Sequence, residues 1–488
     1  MARDQRALAF AVCLGAGFMA LLNVSMVNVA LPPIDVALEA GPTALQWIVA
    51  GFTLAFGLVL IPAGRLGDTL GRRRMFLLGL VVFVVASAGC GLAPSAEALV
   101  GWRLVQGVGA GILNPQVVGF IQQLFSGKER ARAFGMFGAT VGIATASGPL
   151  LGGVLLAAFG EAEGWRAVFL VNLPIGLALI PIAWRLLPHE PAATAPDQGG
   201  RPRRPGIDVV GLALTGVVVL ALMYPFVATT EGDSADAPWW LFAVAAVAAA
   251  GFLAWERRHE ARGGSVVLPR SLARTASFTF GAAVGLTYFM GFTSVMLVGT
   301  LFLQHGLGLT PLQAGLVQMP FALTAAGAAM LGARLVVRIG RWSVVIGAGA
   351  SILGFALSAV AVAVLEVRLI PWVVAACLML GGLGNGMVIS PNQTLALSEV
   401  PLSHAGTAGA GLQTLQRIGT AIGVAVTTSV FFSVLAGTAG DLAGYRRALV
   451  TALIVTTGIV LLAFLVALAD ALRRRRSGAQ HIPSPAAQ

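Results

Sequence analysis

The chain has 488 residues, of which 57% are hydrophobic and only 10% are charged, and its mean hydropathy is +0.87. Soluble domains carry about 25% charged residues, so this composition excludes a soluble enzyme and a disordered chain. The formal charge of +11 reflects 31 basic against 20 acidic residues, and its meaning depends on where the basic residues lie.

Apolar runs separated by short basic breaks predict fourteen membrane spans, because an apolar helix of about 20 residues crosses a bilayer. In chain order they cover residues 7–31, 45–63, 75–93, 96–125, 133–159, 167–187, 207–228, 238–255, 277–303, 313–335, 344–365, 371–397, 409–436 and 447–470. The first run is longer than the roughly 7 to 15 apolar residues of a cleaved signal peptide, so we interpret it as a retained helix. The predicted fold class is an all-α polytopic membrane protein.

Basic residues concentrate on one side of the predicted membrane. With a cytoplasmic N-terminus, 25 Lys and Arg fall in inner segments and four in outer loops, while Arg103 and Arg417 lie within spans. This bias follows the positive-inside rule and predicts that both termini are cytoplasmic. The positive charge therefore sets topology, and nucleic acid is not a predicted partner.

Two matches indicate an internal duplication, which is common in transporters built from two related halves. The loop after span 10 repeats the Arg, Leu, Gly and Arg of the loop after span 2 at a constant offset of 269, with Val337 in place of Asp68. Spans 4 and 12 share a Gly-x-Gly-x-Gly string that begins at Gly107 and at Gly382. The duplication predicts two six-span bundles around an inserted pair of spans.

The polar stretches that flank the inserted pair define six segments. They are an N-terminal six-helix bundle over residues 1–187, a cytoplasmic linker over 188–206, two extra spans over 207–255, a second cytoplasmic linker over 256–276, a C-terminal six-helix bundle over 277–470 and a basic tail over 471–488.

Three groups of residues carry more specific signals. The loop after span 2 combines glycines, one carboxylate and two arginines, at Gly64, Asp68, Gly71, Arg72 and Arg73. Span 5 holds a string of glycines and a proline, at Gly142, Gly148, Pro149, Gly152 and Gly153. Span 4 holds Arg103 and Gln106, and a charge at the bilayer centre costs about 3 kcal/mol. We therefore expect Arg103 to face a wet cavity.

These groups resemble the major facilitator superfamily, specifically its fourteen-helix drug:proton antiporter family of the multidrug efflux type. The resemblance implies two six-helix bundles plus two inserted helices, working by alternating access in a bacterial cytoplasmic (inner) membrane. It implies export of a lipophilic small molecule such as a drug or antibiotic, in exchange for protons, with membrane lipids as the other partner. No cofactor is implied, since the proton gradient supplies the energy.

The resemblance also assigns roles to two of the motifs. Asp68 would cap the positive N-terminus of span 13, a contact worth about 0.3–1 kcal/mol, and would close an inner gate with Gly64, Gly71, Arg72 and Arg73. The Gly- and Pro-rich string in span 5 would be the antiporter motif, which favours exchange over co-transport.

Span 1 departs from the family pattern. Members commonly carry an aspartate before an Asn-Val-Ala-Leu-Pro string; here the string begins at Asn28 and the matching position is Asn23. An amide cannot carry the proton, and none of the twenty acidic residues lies in the middle of a predicted span. We therefore expect peripheral proton coupling, at Asp35 first and at Asp68 second.

The predicted substrate cavity contains amides, one arginine and one tyrosine. Its members are Asn23, Asn28, Arg103, Gln106, Asn114, Gln116, Tyr288, Asn385, Asn392 and Gln393. A cavity without fixed negative charge should prefer neutral, zwitterionic or anionic amphiphiles to dications. Any one of these amides could instead bond a neighbouring helix, as amides often do in membranes.

Other function classes fit the sequence less well. The chain has no phosphate-binding Gly-x-x-x-x-Gly-Lys-[Ser/Thr] loop and no His-Glu-x-x-His zinc motif, which weighs against an ATP-driven pump and a metalloenzyme. No metal site or nucleotide is predicted, and Cys13, Cys90 and Cys377 read as packing residues. A proton-independent uniporter or a solute importer of the same fold is the stronger alternative, because Asn23 weakens the case for proton coupling.

Overall fold

The computed structural model describes residues 3–188, 208–228, 238–262, 266–267, 272, 274–438 and 441–476, and these residues are predominantly helical. The first half of the chain forms α1 (Arg3–Leu38), α2 (Gly41–Leu70), α3 (Arg72–Gly91), α4 (Ala96–Leu124), α5 (Gly127–Phe159), α6 (Glu161–Leu170) and α7 (Asn172–Leu186). The two helices that follow are α8 (Val209–Ala228) and α9 (Leu241–Ala261). The second half forms α10 (Ala276–Leu301), α11 (Pro311–Ile339), α12 (Trp342–Val364), α13 (Ile370–Ala396), α14 (Ala405–Ala436) and α15 (Leu442–Arg476).

Twelve spans within the described residues are long enough and apolar enough to cross a membrane, with α6 and α7 together supplying one of them. The pair α8 and α9 is not among the twelve. The apolar part of α8 is short, from Val209 to Pro225, and α9 ends in the charged sequence Glu256 to Glu260. The fold is therefore that of a multi-pass helical membrane protein, and the count of fourteen spans stays a prediction.

The predicted linkers and tail are only partly described. Residues 189–206 of the first linker and residues 477–488 of the tail lie outside the described residues. The second linker, predicted over 256–276, begins inside α9, which continues to Ala261. Charged side chains end an apolar run in the sequence without ending the helix, because they extend toward water while the backbone bonds continue.

Two tight turns show the predicted repeat in backbone geometry. Gly71 separates α2 from α3 at φ 102°, and Gly340 separates α11 from α12 at φ 56°. Both values lie in the left-handed region that glycine adopts without steric cost. In each turn an arginine, Arg72 or Arg341, follows the glycine directly.

The Gly-x-Gly-x-Gly strings show the repeat in packing. A Cβ added at Gly107 would lie 2.4 Å from the carbonyl oxygen of Phe52 on α2, whereas one at Gly109 would lie 2.6 Å from the backbone nitrogen of Phe83 on α3. Thus α4 packs closely against two helices through alternate glycines.

The string on α13 repeats this pattern. A Cβ at Gly382 would lie 2.1 Å from the carbonyl oxygen of Phe321 on α11, and one at Gly384 would lie 2.4 Å from that of Gly347 on α12. The same alternation in both halves supports the duplication inferred from the sequence.

The described residues form two compact units, each built from three segments of the chain. One unit contains residues 1–124, 151–276 and 399–414, and the other contains residues 125–150, 277–398 and 415–488. The helices α5 and α14 each contribute one part to each unit. A small apolar cluster in the first unit includes Ala63, Met75 and Ile112, and a large one in the second includes Tyr288, Phe355 and Phe431.

Candidate functional site

Asp68, near the end of α2, caps the first turn of α14 within the first unit. Its Oδ1 accepts a hydrogen bond from the backbone N–H of Gly406 at 3.0 Å, and its Oδ2 accepts from the backbone N–H of Thr407 at 2.8 Å. The Thr407 hydroxyl also donates to Oδ2, at 2.9 Å. A carboxylate at this position satisfies backbone donors that have no partner within the helix and meets the positive end of its dipole.

Arg72 joins the same carboxylate to two other segments. Its Nη2 donates to Asp68 Oδ1 at 3.1 Å and to the carbonyl oxygen of Leu402 at 2.7 Å, and its Nη1 donates to Gln123 Oε1 at 3.2 Å. The Asp68 side chain is 1% exposed and that of Arg72 is 9% exposed. The ion pair is therefore enclosed and connects α2, α3, α4 and the turn before α14.

Close backbone approach supports the cap. A Cβ at Gly64 would lie 2.6 Å from the carbonyl oxygen of Gly406, so only glycine fits here without displacing α14. Gln122 donates to the carbonyl oxygen of Ala405 at 3.4 Å. Arg73 points elsewhere: it donates to the carbonyl oxygen of Trp184 on α7 and lies over that ring. Gly64, Asp68 and Arg72 thus meet at one place, Gly71 forms the turn between Asp68 and Arg72, and Arg73 lies apart.

A second polar group surrounds Arg103 on α4. Arg103 donates from Nε to the carbonyl oxygen of Ile48 at 2.8 Å, and from Nη1 to Asn23 Oδ1 at 3.0 Å and to Gln106 Oε1 at 2.6 Å. Its guanidinium carbon lies 4.3 Å from the centroid of the Phe52 ring. The structure thus brings together three of the predicted cavity residues, Asn23, Arg103 and Gln106.

All three of these side chains are enclosed. Arg103 is 1% exposed, and Asn23 and Gln106 are fully buried. The amide nitrogen of Gln106 is bonded as well, since Nε2 donates to Ser87 Oγ at 2.7 Å. Ser87 Oγ in turn donates to the carbonyl oxygen of Phe83 at 2.8 Å. The group is an ordered network between α1, α2, α3 and α4 rather than a solvated wall.

The other predicted residues of the first half have different surroundings. Asn28 is exposed on α1. Asn114 is half-buried, and its Oδ1 accepts from Gln413 Nε2 at 3.2 Å. Gln116 is buried and donates to the carbonyl oxygen of Ala63 at 2.9 Å. Gln116 therefore bonds a neighbouring helix in this structure instead of lining an open surface.

In the second half, Tyr288 and Asn392 are also packing residues in this structure. The Tyr288 hydroxyl lies 2.8 Å from Ser351 Oγ, and the residue is fully buried in the large apolar cluster. Asn392 is buried and donates from Nδ2 to the carbonyl oxygen of Gly281 at 2.8 Å. Their polar atoms are satisfied by neighbouring helices, which removes the need for a wet surface.

Asn385, Gln393 and Arg417 complete the set in the second half. The side-chain oxygens of Asn385 and Gln393 are buried and have no hydrogen-bond partner among the described residues. Arg417 lies within α14 and is half-buried.

Asp35 lies in the last turn of α1 and accepts a hydrogen bond from the start of α2. Its Oδ1 accepts from the backbone N–H of Gly41 at 3.0 Å, and the residue is half-buried. This carboxylate therefore lies at the end of a helix, as the sequence predicted, and outside the Arg103 network.

The glycines of α5 are packing positions, and the sequence reasoning missed part of their pattern. A Cβ at Gly142 would lie 3.0 Å from the Cβ of Ala326 on α11, and Gly135, which the motif did not include, would meet Ala333 on the same helix at 2.5 Å. A Cβ at Gly152 would lie 3.4 Å from the carbonyl oxygen of Met26 on α1, whereas one at Gly153 would have no atom within 4 Å. Gly148 is buried, and the Pro149 side chain lies outside the described part of the structure.

Two further features had no clear signal in the sequence. His404 is half-buried in the 3₁₀ turn Leu402–His404, directly before α14, and its Nδ1 is buried with no hydrogen-bond partner among the described residues. Burial lowers the pKa of His404, and the nearby Arg65 lowers it further, while Asp68 acts in the opposite direction. The imidazole is therefore held neutral beside the Asp68 cap.

The second feature joins α8 to α9. Asp208 accepts from Trp255 Nε1 at 2.9 Å and 3.0 Å and from the backbone N–H of Gly211 at 2.8 Å. Glu256 accepts from the backbone N–H of Val267 at 2.8 Å. Both carboxylates are within electrostatic range of Arg65 on α2.

Comparison with known proteins agrees with this architecture. A family model described as Major Facilitator Superfamily matches residues 13–424. The chain is 38% identical to a probable actinorhodin transporter of Streptomyces coelicolor, over 88% of this chain and 72% of that protein. It is 34% identical to the methylenomycin A resistance protein of the same organism, over 86% of this chain and 85% of that protein.

A solved structure shares the fold. It is that of the proton:xylose symporter XylE bound to 6-bromo-6-deoxy-D-glucose, with a TM-score of 0.64 and 14% identity over 98% of this chain and 96% of that one.

Proposed function

The chain belongs to the major facilitator superfamily, as a multi-pass transporter of the bacterial inner membrane and not an enzyme, and from that membership we propose that it exports lipophilic, antibiotic-like small molecules by alternating access. The observation that carries the proposal is the 38% identity, over most of both chains, to a protein named as a probable actinorhodin transporter. A second relative is named for resistance to methylenomycin A, and resistance by a transporter means removal of the compound from the cell.

The Asp68 cap is the proposed inner gate. Its hydrogen bonds join the end of α2 to the start of α14, where Gly64 allows the two backbones to approach. Exchange of access between the two sides of the membrane requires such a contact to form and break. Charge-assisted bonds of this kind contribute about 1.5–3 kcal/mol each, which is enough to hold one state and small enough to be released.

The substrate cavity is proposed to lack negative charge. Among the described residues no carboxylate belongs to the Arg103 network, which is enclosed in this structure and would offer a solute an arginine, two amides and aromatic faces once the helices around it separate. Such surroundings attract hydrogen-bond acceptors and flat aromatic molecules and repel dications. We therefore expect neutral, zwitterionic or anionic amphiphiles to be better substrates.

Proton coupling requires a side chain that binds and releases a proton. With Asn23 fully buried in place of a titrating group, Asp35 and then Asp68 are the coupling carboxylates we propose. Asp35 is suited to the role because it is half-buried in the last turn of α1 and accepts a hydrogen bond from the start of α2, so that its protonation would change a contact between helices. The alternative is a proton-independent uniporter or importer, favoured by the amide at position 23.

Flux measurements in proteoliposomes test the proposal. Neutral, anionic and dicationic dyes are loaded with and without an imposed pH gradient, and their movement is followed by fluorescence. Proton-coupled export predicts uphill movement of neutral or anionic dyes only when the gradient is present. Downhill movement that ignores the gradient would establish the uniporter, and faster transport of dications would overturn the proposed charge preference.

The variant Asp35→Asn isolates the coupling residue. The amide oxygen can still accept from Gly41 N–H, so this hydrogen bond is kept while titration is lost. We expect gradient-driven transport to be abolished and dye binding to be retained, whereas Glu39→Gln, at the exposed end of the same helix, should behave as wild type. Full gradient-driven activity in Asp35→Asn would remove Asp35 from the mechanism.

A further inference from the structure

The environment of Arg103 contains a buried positive charge without a matching negative one. Arg103 is 1% exposed and lies seven residues into α4, about 10 Å along the helix from its start. The described structure places no carboxylate within ion-pair distance of this guanidinium, and the groups that accept its hydrogen bonds are all uncharged. Burying an ion costs several kcal/mol unless an opposite charge offsets it.

The hydrogen bonds around Arg103 leave donors in excess. Asn23 uses its Oδ1 to accept from Arg103, so its Nδ2 takes no part in that bond, and Nδ2 is buried with no acceptor among the described residues. Rotating the amide would place its N–H groups against the guanidinium, so this orientation is fixed by charge. Gln106 cannot supply the missing acceptor, because its oxygen already serves Arg103 and its nitrogen is bound to Ser87.

A small acceptor that carries negative charge would supply both the missing counter-charge of Arg103 and the missing acceptor for Asn23 Nδ2. It would pair with the guanidinium and accept from Asn23 Nδ2, between α1 and α4. A water molecule could take the hydrogen bond but would leave the charge uncompensated. The aromatic faces of Phe52 and Phe169, whose ring centroids lie 4.3 Å and 5.9 Å from the guanidinium carbon, attract the cation and offset only part of the cost of burying it.

We propose that Arg103 and Asn23 form a binding site for a monovalent anion. The anion is either a free halide such as chloride or the carboxylate or phenolate group of a transported solute, since each presents the same charge and acceptor capacity. The halide source is independent of the export function, whereas the solute source rests on it. Position 23 sets the preference: an amide admits an external anion, and an aspartate would occupy the site with its own carboxylate.

Thermal unfolding of the purified protein in lipid nanodiscs tests the site without requiring transport. The melting temperature is measured in sodium gluconate while chloride or, separately, benzoate is added at constant ionic strength. The site predicts an upward shift that saturates with anion concentration in the wild type. A shift with chloride alone identifies the halide source, a shift with benzoate alone identifies the solute source, and mutual competition shows that one site accepts both.

Two variants on α1 provide the matched comparison. Asn23→Asp should abolish the anion-dependent shift, because its carboxylate pairs with Arg103, whereas Asn28→Asp, five residues away at an exposed position, should keep it. Arg103→Gln should also lose the shift. If Arg103→Gln does not fold, the two Asn variants still decide the question.

The site is refuted if neither anion shifts the wild type or if Asn23→Asp responds as the wild type does. Dye export by the wild-type protein is measured separately in proteoliposomes. Failure of the anion site is therefore distinguishable from failure of the export function.

Discussion

Asp68 is a single carboxylate that serves three donors on α14 and one arginine, so its removal should have a large effect. In Asp68→Asn one acceptor oxygen becomes an N–H donor facing backbone N–H groups, and the enclosed Arg72 loses its counter-charge. Loss of one partner of a buried ion pair costs about 3–5 kcal/mol. We expect a melting temperature several degrees lower and at least a tenfold loss of export, measured in nanodiscs and by dye flux.

Asp441→Asn is the matched control, because Asp441 caps its own helix, α15, through the backbone N–H of Gly444 at 2.8 Å. Within the described part of the chain it bonds no second helix, so we expect nearly wild-type export. Equal losses in both variants would mean that Asp68 acts only as an ordinary helix cap.

His404 makes the same contact sensitive to pH. The groups that face it are Arg65 and Asp68, and burial and Arg65 hold its pKa below the ordinary value of about 6.5. A histidine with a lowered pKa binds a proton less readily when packed than when exposed. The buried, neutral His404 therefore costs the folded protein no stability above about pH 6.5. As pH falls below that value, the folded protein loses stability because the exposed imidazole of the unfolded chain binds a proton more readily.

Substitution of His404 should remove this pH dependence. Between pH 5.5 and 8 we expect the melting temperature of the wild type to fall on the acid side more steeply than that of His404→Gln. His305→Gln, at the end of the π-turn after α10, is the control and should follow the wild type. Parallel curves for all three proteins would exclude His404 as the source.

For single residues, the sequence predicts the chemistry of a side chain better than it predicts which atoms surround that side chain. The family resemblance carried by Asp68 and its glycines implied a cap on the start of span 13, which is α14 in the structure, because that motif is local and its chemistry is specific. The enclosure of Gln116 and Tyr288 was not predictable, because whether an amide or hydroxyl meets water or a neighbouring helix depends on helix rotation. His404 was missed for the same reason: its burial arises from residues more than 300 positions away in the chain.

At the scale of helices, the alternate glycines of α4 and α13 are equivalent packing devices and should respond alike to substitution. Gly107→Ala and Gly382→Ala would each place a methyl group within 2.4 Å of a backbone oxygen. Overpacking costs about 1–3 kcal/mol or more, and backbone cannot give way as a side chain does. We expect a clearly lower melting temperature for both variants.

Gly101→Ala on α4 and Gly327→Ala on α11 are the controls, since neither added Cβ would meet an atom within 4 Å. They should match or exceed wild-type stability, because alanine favours helix over glycine by about 1 kcal/mol. If Gly382→Ala were tolerated while Gly107→Ala was not, the two halves would not share this packing.

The twelve spans that the structure bears out were predictable because hydropathy reports directly on the length of an apolar helix. The interruption between α6 and α7 and the division of α5 and α14 between two units were not, because they depend on tertiary contacts that no local apolar pattern encodes. Gly135 illustrates the limit: its close contact with Ala333 follows the small-residue pattern of membrane interfaces, but in a chain with 62 glycines that pattern alone selects no partner.

For the whole molecule, the open question of architecture is whether α8 and α9 cross the membrane. The two helices pack as a pair, closed at one end by Asp208 and Trp255, and Tyr224 of α8 contacts Trp47 of α2 with ring centroids 6.0 Å apart. A pair that crosses preserves the positive-inside pattern on both sides, because Arg257 and Arg258 near the end of α9 and Arg262 directly after it fall on the predicted inner side. We therefore predict fourteen spans with both termini cytoplasmic.

Cysteine labelling in whole cells decides this topology. In a background lacking Cys13, Cys90 and Cys377, single cysteines replace the exposed Trp240, before α9, or the exposed Arg262, after it. If α9 spans the membrane, an impermeant maleimide labels Trp240→Cys in intact cells but labels Arg262→Cys only after the cells are opened. Leu92→Cys and Lys128→Cys are outer and inner controls. Labelling of both α9 positions from the same side would show that the pair lies against the bundle without crossing, and would reduce the count to twelve spans.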